Sequence, residues 1–142
     1  MKITTKPIKS WVALAIVFMA VGTVAELLLL SHYEDTWQLL PIIIIGLSMV
    51  LMVIVSQSRS TLALQTFKVL LVTCALSGVL GAYFHLQANM EFEMELHPTQ
   101  SWTTSFIESL SGALPALAPG SMILFGLIGY IYILLIKQTR LK

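Results

Sequence analysis

Four long apolar stretches run through the chain, and they constrain its fold more than any other feature. They cover about residues 11–30, 37–55, 66–86 and 118–136. A helix needs about 20 mostly apolar residues to cross the hydrocarbon core of a bilayer, so each stretch is long enough for one crossing. Charged residues make up only 11% of the chain, against about 25% in soluble domains. The sequence therefore predicts an all-helical integral membrane protein, a bundle of four transmembrane helices in one membrane domain over residues 1–142.

The first and last spans each leave an alternative open. A basic lead before the first span resembles a secretory signal, but the apolar run is longer than the roughly 7–15 residues of a signal core, so we expect a retained span. Before the last span, an outer loop over residues 87–105 leads into a short interfacial or re-entrant helix at about residues 101–114. Pro119 and Gly120 then either begin the last span at its first turn or mark a helix break, as at some transporter sites.

The basic residues predict the orientation of these spans. With four crossings both termini lie on one side of the membrane, and the positive-inside rule makes the side rich in Lys and Arg cytoplasmic. We therefore expect an inner (plasma) membrane protein of a bacterium, with both termini cytoplasmic. That side holds all eight basic residues: Lys2, Lys6, Lys9, Arg59, Lys68, Lys137, Arg140 and Lys142.

The acidic residues collect on the opposite side. The net charge of +1 hides this polarity and gives no case for a nucleic-acid partner, which needs a concentrated basic face. The acidic surface is either a solvated pair of loops or a site for cations or a partner. That side holds all seven acids and all three histidines: Glu26, Glu34, Asp35, Glu91, Glu93, Glu95, Glu108, His32, His85 and His97.

Two ionisable residues lie within the outer ends of spans, where such groups are costly. Counted from Lys9 and from Lys68, Glu26 and His85 share a height of about 25 Å at about 1.5 Å per residue, and Gly120 reaches the same height counted from Lys137. We expect Glu26 and His85 to touch, or to share an ion or a water. In the alternative, Glu26 snorkels to the interface and His85 bonds a loop carbonyl.

Small residues predict which helix faces turn inward, because they let helix backbones approach closely in lipid. On the third span they share one face with His85, and on the first span Gly22 shares a face with Glu26 through its four-residue spacing. We therefore expect these residues to pack inside the bundle: Gly22, Cys74, Gly78 and Ala82.

Residues 90–97 alternate apolar and polar side chains, which is typical of a half-buried strand. Their Glu and Met content instead favours a helix, and we expect helical continuation of the third span at least through Glu91, with the rest open. Carboxylates and imidazole here suit a divalent metal or copper, although no HExxH or CxxC spacing is present. The candidate ligands are Glu26, His85, Glu91, Glu95 and His97.

These features predict function only in outline. We expect an accessory or assembly subunit of a membrane complex, or a homo-oligomer, that uses its acidic outward surface to bind other membrane proteins. The alternative is a small ion or metal transporter, channel or metal-handling protein built on a Glu26–His85 site. A membrane enzyme ranks third: it would use the same two residues as an acid–base pair, and no nucleophile stands beside them.

Overall fold

The computed structural model describes residues 5–58, 60–116 and 118–140, and these residues form five helices and no strand. Four of the helices are long and apolar enough to cross a membrane, which confirms the predicted all-helical fold with four helices of membrane-spanning length and composition. Lys2, Arg59 and Lys142, which belong to the predicted basic side, lie outside the described residues. The helices are α1 (Thr5–Leu29), α2 (Thr36–Gln57), α3 (Thr61–Leu96), α4 (Trp102–Ser109) and α5 (Gly120–Arg140).

The four long helices pack in a ring. Contacts join α1 to α2, α2 to α3, α3 to α5 and α5 back to α1, while the short α4 lies against α3. Inside the ring, side chains from all four helices form one apolar core, which includes Ile16, Ile45, Phe67 and Ile133. The sequence order of the helices is therefore also their order around the bundle.

Helices α3 and α5 pack closely against each other at two glycines. A Cβ placed on Gly126 would lie 2.7 Å from the backbone oxygen of Leu71, and one on Gly78 would lie 2.7 Å from the backbone oxygen of Pro119. Neither position has room for a side chain, so these glycines let the two backbones approach, as small residues do between helices in lipid.

The outer faces of the long helices remain apolar. Only 11% of the residues in the most apolar window of α1 are buried, and 39% in that of α5. Exposing such an apolar surface to water is unfavourable, whereas contact with lipid tails is not, because the tails are as apolar as the side chains. The uncovered faces indicate contact with a lipid bilayer.

Helix α3 is longer than the predicted third span. It continues through Leu96, and His97 caps it with its backbone N–H on the oxygen of Glu93. The strand interpretation of residues 90–97 is therefore wrong, because adding turns to an existing helix is cheap and Glu and Met are good helix formers. The predicted outer loop is mostly helical, and the predicted helix at residues 101–114 ends already at Ser109.

Candidate functional site

Asn89 organises the acidic end of the bundle. Its side chain is 3% exposed and faces the connection between α4 and α5. The amide nitrogen Nδ2 donates to the backbone oxygens of Ser109 at 2.9 Å and Leu114 at 2.7 Å, and Oδ1 accepts from the backbone N–H of Leu114 at 2.9 Å. One carboxamide thus supplies the hydrogen bonds that this non-helical backbone lacks, as buried polar groups require.

Gly112 completes the contact between Asn89 and this connection. A Cβ on Gly112 would lie 2.5 Å from Cγ of Asn89, so the glycine lets the backbone lie directly on the carboxamide. Asn89 and Gly112 are therefore matched to each other, and together they hold the connection against α3.

His85 holds the same connection one turn earlier on α3. Its Nδ1 lies 3.1 Å from the backbone oxygen of Pro115. Because a carbonyl oxygen only accepts, Nδ1 carries the hydrogen, and in the neutral ring Nε2 is left with a free lone pair. This bond matches the alternative in which His85 bonds a loop carbonyl.

The imidazole ring of His32 lies next to that of His85. The ring centres of His32 and His85 lie 6.1 Å apart, with planes at 80°, and both side chains are half-buried. His32 stands just after α1, where Ser31 takes the left-handed conformation with φ 54°. The N–H of His32 donates to the oxygen of Leu27 at 2.8 Å, and that of Ser31 to Leu28 at 3.1 Å, which is the Schellman ending of a helix.

Glu26 is not bonded directly to His85. Its side chain is exposed, and within the described part of the chain no hydrogen bond or ion pair joins it to His85. Nothing lies within 4 Å of a Cβ placed on Gly22, so the predicted inward face of α1 is in fact open. The buried face carries Ile16 and Ala20, and residues two positions apart, such as Ala20 and Gly22, lie on nearly opposite sides of a helix.

Pro119 lies deeper in the bundle than His85. Cβ positions on Gly78 and Gly81 would lie 2.7 Å and 3.0 Å from atoms of Pro119, so the start of α5 is one to two turns below His85. The prediction that Gly120 and His85 share one height is wrong. That prediction assumed that Lys68 and Lys137 lie at the same height along the bundle. In the structure the side chain of Leu71, which is close to Lys68, lies against Gly129. Gly129 is more than two turns from Lys137, so the two lysines lie at different heights.

The remaining predicted packing residues lie on α3. Cys74 and Gly78 are buried, Ala82 is half-buried, and Sγ of Cys74 lies 3.9 Å from Sδ of Met122 on α5. These residues form the predicted face toward α5. Nothing lies within 4 Å of a Cβ on Gly120.

The other predicted metal ligands stand apart from His85. Glu91, Glu95 and His97 are exposed along the last turns of α3, and Nε2 of Gln87 donates to Oε1 of Glu91 at 2.9 Å. Across the described ranges, no three His, Cys, Asp or Glu side chains gather in a way that could hold a metal ion. The structure thus does not bring the five predicted ligands together.

Sequence reasoning missed Asn89, Gly112 and the pairing of His32 with His85. Asn89 could have been found, because it continues the spacing of Cys74, Gly78 and His85 by one more turn and a carboxamide on a buried face needs partners. No sequence signal pairs His32 with His85, because that contact depends on how the α1–α2 connection folds over α3.

Comparison with known proteins adds no relative to this picture. No known protein family, characterised protein or solved structure matches the chain. An inference about function therefore rests on the side chains and their placement.

Proposed function

We propose that the protein is an accessory or assembly subunit of a membrane complex, or a homo-oligomer, and that it binds its partner through the last turns of α3. The observation that carries the proposal is the continuation of α3 as a helix to Leu96. This end, residues 86–96, is called the α3 extension below. It presents acidic and apolar side chains on a rigid element.

Aromatic side chains support a position for the α3 extension outside the hydrocarbon core. Trp37 and Phe84 lie with ring centres 6.0 Å apart, and Tyr83 lies beside Phe84 at 5.7 Å. Aromatic residues of this kind concentrate at membrane interfaces. At about 1.5 Å per residue, the helix from Phe84 to Leu96 reaches about 18 Å beyond that level, which is far enough to stand among or above the lipid headgroups.

The surface of the α3 extension has the mixed character of a protein interface. Phe92, Met94 and Leu96 are 55%, 50% and 58% exposed, next to the exposed carboxylates of Glu91 and Glu95. Interfaces combine aromatic and Met side chains at the centre with a polar rim. Lipid tails would not reach apolar groups this far from the core, so a protein partner explains their exposure.

An open cavity widens this surface at its base. It has a volume of about 330 Å³ and lies between α3 and α4, with Leu86, Met90 and Phe106 among its walls and Glu91 at its edge. Ring stacking at 5.4 Å joins Phe106 to Trp102 on α4. A side chain of a partner helix can anchor here, since buried anchors carry most of the binding energy of an interface.

The hydrogen bonds of Asn89 support the same function. They fix α4 and the connection after it against α3, so the surface is already formed before a partner arrives. A preorganised surface loses little conformational entropy on binding.

The charges support an orientation for this surface. The positive-inside rule directs the Lys-rich ends to the cytoplasm and therefore directs the α3 extension outward, to the periplasmic side of a bacterial inner membrane. A partner that binds three glutamates of α3 in this position needs a basic or amide-rich surface of its own.

A double charge reversal tests the proposal. The chain is purified in a mild detergent with a tag that contains no histidine, and co-purifying polypeptides are identified for the wild type, for Glu91→Lys/Glu95→Lys, and for Glu34→Lys as the matched control at the same end of the molecule. We expect a partner polypeptide, or a second copy of the chain, to co-purify with the wild type and the control. Its recovery with the double variant should be at least tenfold lower. Equal recovery with the double variant would overturn the proposed surface.

The alternative function, an ion or metal transporter, channel or metal-handling protein built on Glu26 and His85, is not favoured by the contacts found. Glu26 is exposed, and among the described residues no hydrogen bond or ion pair joins it to His85. A transport path also needs polar groups through the bundle, whereas the core that joins the four long helices is apolar apart from the buried hydroxyl of Ser48 on α2.

A further inference from the structure

We propose that His32 and His85 together bind a divalent transition-metal ion, zinc or copper, at the acidic end of the bundle. The proposal concerns a site other than the docking surface on the α3 extension, and it does not depend on it. It rests on the meeting of three chain segments at one point.

Those three segments hold the two rings in place. His32 comes from the α1–α2 connection, where the Schellman ending of α1 fixes its backbone through the bond to Leu27. His85 comes from the last third of α3, just before the α3 extension. Pro115, in the connection before α5, fixes the ring of His85 through its backbone oxygen. The ring of His85 is therefore positioned by a hydrogen bond outside the pair, and the backbone of His32 by the ending of α1; metal sites need support of this kind.

The bond to Pro115 leaves His85 ready to bind a metal. Metal-binding histidines donate one ring N–H to a carbonyl or carboxylate, which sets the tautomer and raises the basicity of the other nitrogen. Nδ1 of His85 does this at 3.1 Å. Nε2 is the nitrogen that then offers its lone pair, the form in which imidazole ligates metals.

The spacing of the rings fits a shared ion. With metal–nitrogen bonds of about 2.0–2.1 Å, each ring centre lies about 3 Å from the metal, so two rings on one ion have centres about 5–6 Å apart. The observed 6.1 Å reaches this range with a small rotation of the His32 side chain, while His85 keeps its bond to Pro115.

The surroundings favour an exchangeable ion. Both histidines are half-buried, so water or another donor can complete the coordination, as in zinc sites that keep open positions. Imidazole selects zinc, copper or nickel over the oxygen-seeking calcium and magnesium. The acids of the same end attract cations toward the pair.

Direct binding measurements test the site. The full chain is purified in detergent with a histidine-free tag and dialysed against Zn²⁺ or Cu²⁺ at micromolar concentration, with Ca²⁺ as the hard-ion control. We expect one equivalent of Zn²⁺ or Cu²⁺ per chain, no Ca²⁺, and a copper electron paramagnetic resonance spectrum with nitrogen hyperfine structure. Absence of stoichiometric binding by both transition ions would overturn the proposal.

The three histidines of the chain supply matched variants. His32→Ala and His85→Asn should each lower the affinity at least tenfold, and His97→Ala should leave it unchanged because His97 stands exposed at the end of α3. Asparagine at position 85 keeps a donor for the oxygen of Pro115, so the unfolding temperature should hold while the ligand is lost. Unchanged binding in His32→Ala, or a loss in His97→Ala, would overturn the pair as the site.

Discussion

At the scale of the residue, Asn89 does more for the acidic end of the molecule than any charged group there. It is buried on α3 one turn after His85, and it is hydrogen-bonded at both ends of its carboxamide. A buried polar group with all partners present stabilises one arrangement, and the same group without them costs free energy. Asn89 therefore specifies where the connection before α5 lies.

Asn89→Ala should lower the free energy of unfolding by about 1–3 kcal/mol, because the buried oxygen of Ser109 and the half-buried backbone groups of Leu114 lose their partner. The measurement is denaturant unfolding in detergent micelles, with protease cleavage near residues 110–116 as a local readout. Faster cleavage there with unchanged cleavage elsewhere is expected. A variant as stable and as protected as the wild type would contradict the role assigned to Asn89.

Gly112→Ala tests the same contact from the other side. A Cβ there would lie 2.5 Å from Cγ of Asn89, so we expect a loss of about 1–3 kcal/mol from overpacking. The Asn89→Ala change removes the carboxamide that the new Cβ would meet. The double variant should therefore lose less stability than the sum of the losses in the two single variants. Gly22→Ala, at a position open on all sides, is the control and should not destabilise. Additive losses would show that the two residues act separately.

At the scale of the element, the sequence predicts the spans well and their contacts poorly. Hydropathy locates four helices because each must bury about 20 apolar residues in lipid. The end of α3 was predicted only in part, because the alternation at residues 90–97 fits a strand while the Glu and Met content and the continuity with α3 favour a helix. The inward face of α1 escaped prediction because small residues such as Gly22 mark a packing face only where a partner helix lies opposite.

The close approach of α3 and α5 gives a prediction of its own. Gly126→Ala places a Cβ 2.7 Å from the backbone oxygen of Leu71, which cannot rotate away, so the helices must separate. We expect a loss of about 1–3 kcal/mol. Gly46→Ala on α2 has nothing within 4 Å of the new Cβ and should stabilise by up to about 1 kcal/mol, the helix preference of alanine over glycine. Unfolding in mixed micelles measures both, and equal stability of the two variants would contradict the packing.

At the scale of the whole molecule, charge is sorted along the bundle. The eight bases and seven acids nearly cancel in sum, yet they stand at opposite ends of the predicted spans. The candidate sites reflect this: the acids of α3 and the histidine pair both belong to the end away from the lysines. The sequence predicts the heights of residues along the bundle only roughly. Counting from the lysines placed Gly120 level with His85, whereas α5 begins one to two turns below His85.

Cysteine labelling tests the orientation. Glu95→Cys should react with a membrane-impermeant maleimide in intact cells, and Lys137→Cys should react only after the membrane is opened, because the positive-inside rule keeps the Lys-rich end in the cytoplasm. Cys74 is 0% exposed, so the unmodified chain serves as the unlabelled background. The reverse pattern of labelling would contradict the orientation proposed for the acidic surface.

The most direct test of the central claim is the mass of the particle released from the membrane in a mild detergent and measured by native mass spectrometry. One chain has a mass of 15.7 kDa. A subunit that works by binding another membrane protein predicts a particle heavier than this by at least one further polypeptide, dissociating when Glu91 and Glu95 are reversed in charge. A particle of one chain with bound lipid alone would contradict the claim.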